Sequence, residues 1–170
     1  MPNRAYYVPA SKRMDNLIEH REQSDRLQSL NGNWKFLYYK SIYDLQDEFY
    51  KTDYPVEEYD TVPVPGVWQN YGYEPHQYIE SDYPFPVDPP YVPLDNPCGA
   101  YIHKFPYKTN ADAPKVYLEF EGVDSCFYVW LNGTYVGYGQ VSHSLNEFDI
   151  TDQIAEGENT LAVLVLKWCD

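Results

Sequence analysis

The side chains with chemistry to offer are carboxylates, flat rings and three thiols. The 170 residues include 26 acids and 19 tyrosines, and aromatics make up 18% of the chain. Paired carboxylates can serve as general acid and base across a glycosidic bond, but so many acids offer many pairs and no spacing marks one. Aromatic faces pack on sugar C–H groups, yet strands also enrich Tyr, Trp and Phe because these fill pleated surfaces. Composition therefore leaves both a sugar site and an ordinary β core open. One acid is singled out by position. Asp170 follows the apolar run Leu161 to Leu166 and should stand at the end of a rigid, buried strand. A carboxylate held there is a hard oxygen donor suited to an alkali or alkaline-earth ion; the plainer reading is a solvated strand-end acid. Cys98, Cys126 and Cys169 are odd in number and form no C-x-x-C pair, which argues against a disulfide framework and a structural zinc site. They read as buried or half-buried free thiols.

Charge and motif content exclude several classes. A formal net charge of −14 opposes binding to phosphate backbones, so nucleic acid is not an expected partner. The amino end, MPNRAYYVPASKRM, has no apolar h-region, and no window approaches the ~20 apolar residues of a membrane span. A cytoplasmic protein without a membrane partner is expected. There is no P-loop, dinucleotide fingerprint, H-E-x-x-H or nucleophile elbow. Gly137-Tyr138-Gly139 is too short to cradle phosphate, and Asn132-Gly133-Thr134, although it matches a glycosylation acceptor, reads as a tight turn.

The elements that must position these residues are strands. Lys115 to Gly139 is the organising stretch: Val116, Leu118 and Phe120 alternate with Tyr117, Glu119 and Glu121, as in a strand with one buried face. After Gly122, Phe127, Val129 and Leu131 share one face and Cys126, Tyr128 and Trp130 the other, so this strand should be central. Asn132-Gly133 tolerates the positive φ of a type I′ turn, and Thr134 to Tyr138 should return antiparallel. Thr160 to Trp168 is nearly unbroken in its hydrophobicity and implies burial on both faces, and Glu147 to Thr151 reads as a short strand. Asn31-Gly32 should turn into a strand bearing Trp34, Phe36 and Tyr38, and Tyr101, His103, Phe105 and Tyr107 share a face on which His103 is structural. Ser41 to Tyr50 carries Ile42, Leu45 and Phe49 at helical spacing and predicts a short helix. From Tyr54 to Pro97, both included, the chain holds ten prolines, which restrict the region to loops and short edge strands. Residues 1–30 read as an extended arm and 31–170 as one domain. Many closely spaced strands around one dense core predict an all-β fold, an antiparallel β-sandwich of jelly-roll type.

Five segments then carry a resemblance: RLQSLNGNWKF at 26–36, VPVPGVWQNYGY at 62–73, YPFPVDPPYVPLDNPCGAY at 83–101, FEGVDSCFYVWLNGTYVGYGQ at 120–140 and EFDITDQIAEGENTLAVLVLKWCD at 147–170. Together they resemble the amino-terminal, galactose-binding-like jelly roll of bacterial β-galactosidases of glycoside hydrolase family 2. The resemblance implies a piece of a longer chain, in which an immunoglobulin-like domain and a TIM barrel with both catalytic glutamates follow, so that neither glutamate lies here and the last strand of one sheet edge is missing. It further implies hydrolysis of terminal β-galactosides such as lactose with retention, and a homo-oligomer to which the amino-terminal arm contributes. Lys167-Trp168-Cys169-Asp170 matches the family's R/K-W-x-D motif, whose Asp contacts galactose and a sodium ion; magnesium is a second candidate cofactor of the parent enzyme. Tyr78-Ile79-Glu80-Ser81-Asp82-Tyr83-Pro84 matches the loop Y-x-N-x-x-Y-P. The implied substrate-binding residues are therefore Asp170, Tyr78, Glu80 and Ser81, with Asp170 also the metal ligand. Glu80 stands where the family has Asn, replacing an amide by an acceptor-only carboxylate. Two other readings stay open: a free-standing lectin-like module and a scaffold domain serving only oligomer assembly.

Overall fold

The computed structural model describes residues 6–46, 48–76 and 84–170. Its strands are β1 (Gly32–Tyr39), β2 (Asp60–Val64), β3 (Cys98–Tyr107), β4 (Tyr117–Phe120), β5 (Cys126–Leu131), β6 (Thr134–Gln140), β7 (Asn146–Asp149) and β8 (Gly157–Leu166). They form a six-stranded sheet in the order β2-β1-β3-β8-β5-β6 and a two-stranded sheet, β4-β7. Every pairing is antiparallel, and the architecture is the expected antiparallel sandwich. Among the described residues the only helical pieces are 3₁₀ turns at Arg21–Gln23, Ile42–Asp44 and Trp68–Tyr71, none long or apolar enough to cross a membrane.

β8 explains the layering. Its run from Thr160 to Val165 is buried throughout, because β3 pairs along its whole length on one side and β5 pairs with Leu161 to Leu166 on the other. Alternate side chains then need cover on two faces. Leu161, Val163 and Val165 point into the space between the sheets with Phe36, Phe127, Val129, Leu131, Leu118 and Phe148. Ala162 and Leu164 point the other way, onto Cys98, Ala100, Ile102, Phe49 and Tyr59. The single core expected from the sequence is thus two, one on each side of the large sheet. Each fully buried Leu, Val or Phe contributes about 1.5–3 kcal/mol of hydrophobic transfer.

The second core is closed by residues 42–46 and 48–59, and among the described residues of this stretch the expected helix is not formed. Only Ile42–Asp44 makes a 3₁₀ turn, capped by Ser41 Oγ accepting from the Tyr43 N–H, and Leu45 is already extended. Ile42, Leu45 and Phe49 recur at helical spacing because a strap lying across a sheet also sends every third or fourth side chain downward. Its polar backbone is satisfied from outside, as where the Ile42 N–H donates to the Asn96 carbonyl at 2.9 Å. The proline-rich stretch supplies β2, which is an edge strand with Pro63 opposite Asn33, the place where a missing N–H costs least. Gly32 opens β1 directly at φ +139, without the separate turn expected there. Residues 6–30 run irregularly: Arg21 bonds the Tyr6 hydroxyl and Glu121, and the Gln28 amide donates to the Pro106 carbonyl at 2.9 Å.

The hairpin forms as its sequence dictates. Asn132 and Gly133 adopt φ of +52 and +79, and Leu131 pairs with Thr134 across a two-residue turn. Asn132 does more than turn. Its amide donates to the Gln153 carbonyl at 3.0 Å and to Asn159 Oδ1 at 2.7 Å, while its Oδ1 accepts from the Thr160 N–H at 2.9 Å. Asn159, 1% exposed, in turn bonds both backbone groups of Ala155. Gly137 and Gly139 on β6 have a packing role: a Cβ there would meet the Phe148 ring at 2.6 Å and the Phe127 ring at 2.5 Å. At Gly133, by contrast, a Cβ would find nothing within 4 Å, so only backbone conformation matters. Gly133→Val should therefore cost about 1–3 kcal/mol in denaturant unfolding, with a Gly133→Asn variant close to wild type; equal losses for both would contradict a purely conformational origin.

Candidate functional site

The carboxylate singled out by position lies just past the central strand. β8 ends at Leu166, and Asp170 is an exposed residue four positions on, beyond the strand end where the sequence reading placed it. What holds the intervening segment is specific. The register of β3 and β8 places Cys98 opposite Leu166, and the ladder extends one step further as the Lys167 N–H donates to the Pro97 carbonyl at 2.9 Å. Asn96 then takes over with its side chain, its amide donating to the Trp168 carbonyl at 2.8 Å and its Oδ1 accepting from the Trp168 N–H at 2.9 Å.

A half-buried charge pair fixes the same segment from another side. Lys167 Nζ donates to Glu74 Oε1, with the two side chains only 12% and 14% exposed. The remaining Glu74 oxygen accepts from Trp68 Nε1 at 3.0 Å and Gln69 Nε2 at 3.3 Å, so the carboxylate is satisfied on both oxygens. Lys167 also sits over the Trp168 ring at 4.7 Å, and the Phe85 ring meets that ring edge-on at 5.5 Å. Tyr78, Glu80 and Ser81 lie outside the described residues. The flanks of that stretch are described, and both reach the Asp170 segment: Glu74 through Lys167, Phe85 through Trp168.

The thiols on and near this segment are poor nucleophiles. Burial, reinforced by neighbours that include Cys169 and Asp170, pushes the Cys126 thiol up to about 11, and burial pushes Cys98 up to about 12. Neither supplies thiolate near neutral pH. Burial likewise lowers His103, which stacks on Trp34 at 4.8 Å between ring centroids and so behaves as a neutral structural residue. A depression of about 330 Å³ beside it holds Lys35 and Lys104, but their ammonium groups are engaged by the Tyr59 carbonyl and by Glu158. Among the described residues no three His, Cys, Asp or Glu side chains could enclose a metal ion. Asp170 fits a hard cation by the chemistry of its donor but not by number, since one exposed carboxylate makes no coordination sphere.

Comparison with known proteins decides the family. The sequence model described as "Glycosyl hydrolases family 2, sugar binding domain" matches residues 27–170. The chain belongs to this family. It is 46% identical over 169 residues to a β-galactosidase of Actinobacillus pleuropneumoniae, covering 98% of this chain and 16% of that protein. Against a β-galactosidase of Staphylococcus xylosus it is 43% identical over 171 residues, covering 100% and 17%. The chain thus spans about one sixth of the length of these relatives. Among solved structures, the β-glucuronidase of Bifidobacterium dentium complexed with coumarin-3-O-glucuronide superposes with a TM-score of 0.60 at 22% identity, over 81% of this chain and 19% of that one. A family 2 glycosyl hydrolase of Bacteroides cellulosilyticus gives 0.59 at 23%, over 84% and 18%. These two likenesses establish the fold.

In this sugar-binding domain the sequence pointed to Asp170 and the 78–84 stretch, and it missed the residues that hold the Asp170 segment. Asn96 stands before a proline and Glu74 six residues after a tryptophan, and neither spacing announces a partner some seventy to ninety residues away. The Glu74–Lys167 pair gives a test. Removing one member of a buried pair strands the other charge and costs about 3–5 kcal/mol, whereas replacing both by neutral groups is close to neutral. For this half-buried pair Lys167→Met should lower stability by about 1–3 kcal/mol, and Glu74→Gln with Lys167→Met should recover most of it. Additive losses in urea unfolding would mean that the pair is not coupled.

Proposed function

We propose that this chain is the amino-terminal domain of a cytoplasmic, homo-oligomeric β-galactosidase that hydrolyses terminal β-D-galactosides such as lactose with retention, and that it completes a galactose pocket formed with a catalytic barrel further along the polypeptide. The observation that carries the reading is the convergence on Lys167 and Trp168, where both flanks of the 78–84 stretch meet the segment that ends in Asp170. The family match and the β-galactosidase relatives support the substrate class.

In this role the domain binds and orients, and the general acid and nucleophile belong to the barrel. The Asp170 carboxylate accepts hydrogen bonds from galactose hydroxyls. Its segment is already anchored, so little conformational freedom is lost on binding. Glu80 offers a second acceptor-only carboxylate, so a hydroxyl that meets it must act as donor. A sodium ion at this site, held by Asp170 together with ligands from outside the domain, would supply fixed positive charge for orienting a sugar hydroxyl.

Two measurements test the reading. The purified domain should not hydrolyse a chromogenic β-galactoside, because it lacks the acid and nucleophile pair; turnover by the domain alone would refute the division of labour. In the complete polypeptide, Asp170→Ala should lower kcat/KM at least 10-fold, about 1.4 kcal/mol of transition-state stabilisation, with thermal stability little changed because the side chain is exposed. Wild-type kcat/KM in that variant would remove Asp170 from the pocket.

A further inference from the structure

We propose that Asn96 is the positioning residue for Asp170: its side chain stands in for a length of β-strand that the sequence cannot supply. The inference rests on the reading of Asp170 as a sugar-pocket residue. The register that pairs Cys98 with Leu166 would bring Asn96 opposite Trp168 if the ladder ran on. It cannot run on through backbone alone. Pro97 has no N–H to give to Lys167, and the alternation of an antiparallel ladder turns the Asn96 backbone away from Trp168, to where its carbonyl accepts from the Ile42 N–H at 2.9 Å. The Asn96 carboxamide sets an acceptor oxygen and a donor nitrogen on one planar group, as a peptide unit does, and turns one bond from each to Trp168, at 2.9 and 2.8 Å.

The chemistry selects asparagine at this position. Aspartate keeps the shape and the acceptor but has no N–H for the Trp168 carbonyl, and serine is too short to span both groups. Asn96 is 2% exposed, so water does not compete for its bonds or replace them when they are lost. The same residue ties three segments together: the strap through Ile42, the approach to β3 through its own backbone, and the outgoing chain through Trp168. With the Lys167 N–H on Pro97 and Lys167 Nζ on Glu74, residues 167 and 168 are fixed in direction, and Asp170 is two residues further on.

The test is a cycle in the complete polypeptide, with Asn96→Asp, Asp170→Ala and the double variant assayed on a chromogenic β-galactoside well below their unfolding temperatures. Asn96→Asp should lower kcat/KM at least 10-fold, mainly through a raised KM. The double variant should be no worse than Asp170→Ala alone, since a residue that acts only by placing Asp170 has nothing left to place. Hydrogen exchange supplies a readout independent of activity: in Asn96→Ala, which keeps neither the acceptor nor the donor, the Trp168 amide should exchange at least 10-fold faster, with β5 amides unaffected. Should Asn96→Asp fail to fold, Asn96→Ser takes its place in the cycle. Losses that simply add, or wild-type kinetics in a folded Asn96 variant alongside an impaired Asp170→Ala, would overturn the inference. Wild-type kinetics in Asp170→Ala would instead defeat the reading on which it rests.

Discussion

The fold depends on one constraint, that β8 is apolar on both faces. A strand of this kind is stable only in the middle of a sheet whose two sides are both covered, and the chain meets that demand with two unlike covers. On one side the β4–β7 pair brings Leu118 and Phe148 down onto Phe127 and Val163. On the other, an irregular strap lays Phe49 and Tyr59 over Ala162 and Leu164. The strap has almost no regular structure, yet it does the work of a second sheet because its aromatic rings supply area that a short backbone cannot.

Local patterns made much of this legible. The two-residue turn at Asn132-Gly133, the alternation in β1 and β5, and the unbroken apolar run of β8 each follow from the chemistry of residues adjacent in sequence. The strap was misread as a helix because Ile42, Leu45 and Phe49 recur every three or four residues, a period that a helix on a core and a coil across a sheet share. The two cores were invisible for a related reason: apolarity on both faces of β8 and β5 reveals that two covers exist but not where the second comes from. Asp170 was singled out by its place after the apolar run Leu161 to Leu166 and by the motif it completes with Lys167 and Trp168. Asn96 and Glu74 were not legible at all, since a polar pairing across 72 or 93 residues leaves no period to detect.

Charge is managed locally in a strongly acidic chain. Glu119 on β4 lies directly opposite Glu147 on β7, and burial together with that neighbour raises its pKa. Like charges facing across a pair of strands are unfavourable. The counter-charge comes from the arm, where Arg21 pairs with Glu121 at the end of the same strand. At the opposite extreme of exposure, Glu74 and Lys167 neutralise each other among Trp68, Gln69 and Trp168. The first pair is wet and contributes little; the second is shielded and sets the path of the chain toward Asp170.

The turn at Asn132-Gly133 is not an interchangeable part for protein engineering. Asp-Gly serves equally well in a type I′ turn, and a loop library built on backbone geometry would treat the two as equivalent. Here the amide hydrogens of Asn132 are spent on Gln153 and Asn159, and Asn159 passes the connection to Ala155 and the start of β8. An aspartate would set its carboxylate against the Asn159 oxygen and the Gln153 carbonyl, two acceptors with no proton between them. Grafting this hairpin elsewhere would likewise carry an amide selected for a neighbour left behind.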